Sequence, residues 1–144
     1  MTPDIRSTIR RFYDEVLNQG QLSVIDDLCT PDFVDHTPAQ GHSANLDNLK
    51  QQITAWRGAF PDLRVAVDEL IADGDSLAVR ITWEGTHQGE FMGMAATGKR
   101  IRSSGVDILH LHKGKVREAW HYGGDSALRE LAKSREWQRE PESE

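Results

Sequence analysis

An aspartate and a histidine, Asp107 and His121, are the residues of this chain best suited to proton transfer. They stand on successive runs of strand-like composition, Gly105–His112 and Lys115–Tyr122. A carboxylate can orient an imidazole and raise its basicity, and an imidazole can take a carbon-bound proton near neutral pH. Whether the two cooperate depends on the turn between them. A three-residue loop, His112-Lys113-Gly114, with Gly114 left-handed, pairs Leu111 with Lys115. Asp107 then lies opposite Ala119, and His121 is two residues further along the same face. A two-residue turn would put the pair on opposite faces. The longer loop is expected, because Gly114 gains from a left-handed position and Lys113 does not. Asp107, Leu109, Ala119 and His121 then form a pocket floor. Val106, Ile108, Trp120 and Tyr122 form an outer face that calls for a cover, a second copy of the chain. A sheet-facing Asp–His pair is also a common structural contact, so catalysis and structure stand as alternatives.

The segment Gly85–Arg100 is the natural loop to border such a pocket. Gly85, Gly89, Gly93 and Gly98, with Ala95-Ala96, disfavour a stable helix there. His87 either reaches a substrate oxygen or bonds within the loop, and the pocket role is favoured; His36 faces a similar choice. Trp56, Phe60, Trp83, Phe91, Met92 and Met94 read as pocket wall or core, and Leu109 as part of the floor. A metal site is not expected. His110 and His112 share one face and His121 takes the other, and no carboxylate or Cys completes the set. There is no Gly-X-Ser-X-Gly elbow and no glycine-rich phosphate motif.

The elements that must hold these residues follow from pattern. Thr2-Pro3-Asp4 opens a helix carrying Ile5, Ile9, Phe12, Val16 and Leu17. Ser23 caps a short helix with Val24, Ile25 and Leu28, and Pro31 forces Asp32–His36 to extend. Ser43 caps a third helix bearing Leu46, Leu49, Ile53, Trp56 and Phe60. Alternation then takes over: Leu63, Val65, Val67 and Glu69 on one side, then Leu77, Val79, Ile81 and Trp83 after an Asp73-Gly74-Asp75 turn. A last helix is expected from Asp125 or Ser126, including Leu128 and Leu131. Helices first and a meandering sheet afterwards make an α+β protein, mainly antiparallel. The chain has 144 residues and one cysteine, Cys29, with a net charge of -6. These values suit one soluble domain over residues 1–137 with a flexible acidic tail at 138–144. No basic patch suggests nucleic acid, no apolar run suggests a membrane, and the lone cysteine suits a cytoplasmic setting.

Several segments together are similar to the SnoaL-like polyketide cyclases of the nuclear-transport-factor-2-like superfamily. They are Phe33-Val34-Asp35-His36-Thr37-Pro38, Ala59-Phe60-Pro61-Asp62-Leu63, Gly85–Gly93, Thr97-Gly98-Lys99 and Gly114–Trp120. The resemblance implies a cone-shaped fold with helices packed on a curved sheet. It also implies aldol ring closure of an aromatic polyketide without metal or organic cofactor. That family uses an acidic residue just after the Trp of its last strand and a His on the preceding strand. Here His121 follows Trp120 and the matching earlier position is Asp107, so the two identities are exchanged. Hydroxylation-assisting or hydrolytic enzymes, and non-enzymatic small-molecule binders, are the rival readings of the same fold.

Overall fold

The computed structural model describes residues 4–38, 44–91 and 93–123. Its elements run α1 (Ile5–Arg11), a π-helical continuation (Phe12–Asn18), α2 (Val24–Leu28), β1 (Cys29–Asp35), α3 (Leu46–Ala59), β2 (Arg64–Asp73), β3 (Ser76–Thr86), β4 (Arg100–His112) and β5 (Lys115–Tyr122). This is the expected α+β order. Thr2-Pro3, the Ser43 cap, Met92, the helix expected from Asp125 or Ser126 and the tail at 138–144 lie outside the described residues. Two caps differ from expectation. Asp4 accepts from the Arg6 N–H and is itself the cap of α1. Asn45 caps α3 by accepting from the Asn48 N–H. Among the described residues no helix is long and apolar enough to cross a membrane.

The strands form one sheet in the order β1-β5-β4-β3-β2. Four of them make an antiparallel meander, while β1 joins the far side of β5 in parallel. Its inner face alternates cleanly along β3, where Leu77, Val79, Ile81 and Trp83 are buried. Against them pack Ile9, Val16 and Leu17 of the N-terminal helix and Leu49 and Ile53 of α3. Each such side chain stabilises the fold by about 1.5–3 kcal/mol through area removed from water. On β2 the alternation shifts between Val67 and Glu69, so Leu70 is buried and Glu69 turns out to Arg80. Glu69 therefore does not share the face of Val65, because a bulge intervenes.

The hairpin that decides the site is built differently from the expected one. His112 pairs with Lys115, leaving a two-residue turn. Both turn residues are left-handed, Lys113 at φ 53° and Gly114 at φ 81°. Primed two-residue turns match the strand twist, and that gain outweighs the cost of a left-handed lysine. The turn alone would separate Asp107 and His121. A bulge restores them: Leu111 pairs with Val116 but His110 pairs with Glu118, so Arg117 is the extra residue. Leu109 then faces Ala119, and Asp107 lies directly opposite His121. The expected faces are right, and the expected loop is wrong.

Lys113→Asn creates the Asn-Gly pair that this turn geometry prefers. It should stabilise the protein by about 0.5–1 kcal/mol, read as a higher urea midpoint at unchanged slope. A lower midpoint would show that the lysine makes a compensating contact.

Candidate active site

Four side chains meet at the β1 end of the inner face. From β4, Asp107 accepts from Tyr13 at 2.5 Å through Oδ2 and holds His121 Nδ1 at 2.7 Å through Oδ1. From β1, Asp35 places Oδ2 at 3.2 Å from His121 Nε2. Its other oxygen accepts the Thr37 N–H at 3.0 Å, and the Thr37 hydroxyl accepts the His121 N–H at 2.5 Å. The backbone explains the meeting. Parallel pairing sets Asp35 beside Ala119, and antiparallel pairing sets Asp107 beside His121. Tyr13 hangs from the π-helical segment above.

Burial is unequal across the group. Asp35 is 1% exposed and Asp107 8%, whereas the His121 side chain is 38% exposed. A buried carboxylate is costly unless paired, and each of these has a cationic partner and further donors. Burial works against charge on His121, but the hydrogen bonds to Asp107 and Asp35 and their negative charges outweigh it and lift its pKa to about 10. His121 is therefore a cation at neutral pH. The sequence suggested a neutral base here; Asp35, a second carboxylate on the other ring nitrogen, favours the charged ring. Burial and the neighbouring Asp107 hold the Tyr13 phenol well above its ordinary range, so it remains a donor. Chemically, the site offers one mobile proton on an anchored imidazolium and two carboxylates to receive one.

The other candidates are placed as follows. His87 is fully buried, stacked on Phe60 with its Nδ1 3.0 Å from the Thr97 hydroxyl, a position that ties down its loop. The loop is also docked on the end of α3, where Gln88 and Gly89 both donate to the Ala59 carbonyl. At Gly89 a Cβ would come within 2.7 Å of the Gly58 carbonyl oxygen, so the close approach requires glycine. Phe60 and Trp83 are buried and pack edge to face, and Leu109 is buried beside Ala119. Trp56, Phe91 and Met94 are partly exposed around that cluster. His36 does not join the pocket face. It stacks on Trp120 and bonds Glu118 at 3.0 Å on the outer side of the sheet, because it follows inward-facing Asp35 by one residue. Two surface depressions, of about 490 and 320 Å3, are lined by none of Asp35, Asp107 and His121. Among the described residues no group of three or more His, Cys, Asp or Glu is arranged to hold a metal ion.

Asp35 and Tyr13 are the members that sequence reasoning missed. Asp35 alternates with buried Phe33, so an inward carboxylate could have been read from the extended stretch. Tyr13 follows Ile9 by one helical turn, and a core tyrosine calls for a hydroxyl partner.

Comparison with known proteins gives the family and the fold. A family model described as SnoaL-like polyketide cyclase matches residues 7–130. Solved structures superpose closely. AclR, a proposed hydroxylase from Streptomyces galilaeus, is 31% identical with a TM-score of 0.75, covering 86% of this chain and 77% of its own. IdmH, a proposed polyketide cyclase from Streptomyces antibioticus, is 26% identical with a TM-score of 0.78, covering 90% and 99%. A proposed polyketide cyclase from Bacillus cereus is 27% identical with a TM-score of 0.75, covering 88% and 78%. A comparison with curated proteins finds no match.

The raised pKa of His121 links the site to stability. The folded state holds this proton more tightly than the unfolded chain, whose value is near 6.5. The stabilisation is complete below pH 6.5 and is lost as pH rises towards about 10. Melting temperature should therefore fall across that window, and His121→Gln should flatten the fall. Parallel curves for the two proteins would show that the ion pairs do not stabilise the fold.

Proposed function

Because this chain belongs to the SnoaL-like polyketide cyclase family, we propose that it closes a ring in an aromatic polyketide precursor by intramolecular aldol chemistry, using the Asp35–His121–Asp107 group and no metal or organic cofactor. The observation that supports this reading is an imidazolium held between two carboxylates at the exposed edge of an otherwise buried group. Asp107 and Tyr13 anchor the Nδ1 side, so the Nε2 proton is the one available to substrate. Asp35 lies 3.2 Å from that nitrogen, and an incoming carbonyl oxygen parts the two.

The steps balance as follows. A carbon flanked by carbonyl groups gives its proton to the Asp35 carboxylate. The enolate carbon attacks an internal carbonyl, forming the new carbon–carbon bond. The oxygen of that carbonyl takes the Nε2 proton of His121. Neutral His121 then recovers a proton from Asp35 as their contact re-forms. Asp107 stabilises the imidazolium throughout and fixes its ring. In this reading the chain works in the cytoplasm as a homodimer. The partner covers the outer face, where Val106, Ile108 and Trp120 are half-buried and Tyr122 is exposed.

A second reading has one specific observation in its favour: AclR is a proposed hydroxylase and is 31% identical. Oxygen consumption distinguishes the two, since aldol closure uses none.

Ring closure should be assayed with chelator present and without nucleotide or flavin. His121→Gln should slow turnover by about 10²–10⁴-fold, the usual value of acid–base assistance. Asp35→Asn should slow it comparably. Asp107→Asn should slow it less or comparably and should lower the affinity of His121 for its proton. Activity should persist through neutral pH and fall as pH rises through about 10, where His121 loses its proton. Unchanged turnover in all three variants, or an absolute need for an added cofactor, would overturn the aldol mechanism. Light scattering showing only monomer at micromolar concentration would overturn the dimer.

A further inference from the structure

Tyr13 sits on an unusual piece of helix. The α-helical turns of Ile5–Arg11 pass into a π-helix at Phe12–Asn18, where Gln19 donates five residues back to the Asp14 carbonyl. Such wide turns are rare and often lie at functional sites. This one is held from two sides. Arg57 of α3 donates through Nη1 to the Leu17 and Asn18 carbonyls, at 2.6 and 2.9 Å. The Asn18 side chain clamps β2, donating to the Val65 carbonyl at 3.0 Å and accepting the Val65 N–H at 2.7 Å. Gly20 makes room for the arginine, since a Cβ there would come within 2.7 Å of its Nε. With the end of the segment fixed to β2, removing its extra residue would turn Tyr13 by about 100° about the helix axis. The tyrosine is 2% exposed, and its hydroxyl reaches Asp107 Oδ2 at 2.5 Å.

We propose that Tyr13 is a positioning residue: the π-helical segment, clamped by Arg57 and Asn18, aims its hydroxyl at Asp107 and so fixes the carboxylate that holds His121. The charged groups facing His121 are Asp107 from β4 and Asp35 from β1, and Tyr13 is the titratable group facing them from the helix. By donating to Oδ2, Tyr13 both sets the plane of the carboxylate and draws off part of its charge. Arg57 therefore acts on the acid–base group from a distance, through the path of the backbone. This inference deepens the active-site reading, yet its test needs no substrate. Failure here would leave the turnover experiments on His121 and Asp35 standing.

The test is an NMR titration of the His121 ring in the full chain. In Tyr13→Phe, which keeps the ring and hence the packing, the Asp107 charge is no longer shared with the phenol. His121 should hold its proton roughly threefold or more tightly, because Asp107 Oδ1 then carries more of the carboxylate charge. Arg57→Gln should move the midpoint the same way by a smaller factor, with Arg57→Lys in its place if that variant does not fold. The double variant should match Tyr13→Phe alone, because both act through one contact. An unchanged His121 midpoint in folded Tyr13→Phe, or additive effects in the double variant, would overturn the proposal.

Discussion

The extra residue in β5, Arg117, governs which side of the sheet His121 faces. Side chains on a strand alternate with a period of two, so one inserted residue reverses every position beyond it. The two-residue turn at Lys113-Gly114 sets one parity and the bulge reverses it. Asp107 and His121 meet only because both are present. The same reversal aligns Ala119 with Asp35 on β1, which brings the second carboxylate to the other ring nitrogen. Backbone hydrogen bonding thus determines an electrostatic arrangement that no pair of side chains could build alone.

The group is stable because its charges nearly balance where water is scarce. Two carboxylates and one imidazolium leave a single negative charge, spread over the Tyr13 hydroxyl and the Thr37 N–H. Removing the histidine would leave two buried carboxylates without their shared cationic partner, a costly arrangement.

The α+β order and most strand faces were legible from periodicity, because buried and exposed positions repeat with the backbone; the shared face of Asp107 and His121 was reached through a three-residue loop, where the structure has a two-residue turn and a bulge. Leu77, Val79, Ile81 and Trp83 announce their strand without ambiguity. What sequence did not reveal depends on long-range or backbone-specific effects. The parallel pairing of β1 has no local signature, so Asp35 was read as part of an extended stretch and its role was missed. Lys113 in a left-handed turn defied residue preference, since the strand twist on both sides outweighed it. The π-helix keeps an apolar face similar to that of an α-helix, and nothing in Phe12–Asn18 distinguishes the two by composition. The extended stretch Asp32–His36 was legible, but not which of Asp35 and His36 faces inward; one step along the extended chain sends them to opposite sides of the sheet.

The parallel contact between β1 and β5 also bears on how the molecule assembles. Among the described residues it joins the first strand to the last, and the hydrogen bond from His121 to Thr37 spans 84 residues. The meander of β2 to β5 closes through two tight turns and the loop between Thr86 and Arg100, but this contact must close a much longer one, at a larger loss of chain entropy. Nucleation is therefore favoured in the meander, with β1 docking late. On a ribosome, β1 emerges long before its partner and must wait for nearly the whole described chain to be synthesised. Asp35 can take its buried place 3.2 Å from His121 only once the strand has docked. The Asp35–His121–Asp107 group is therefore complete only in molecules whose β1 and β5 have met.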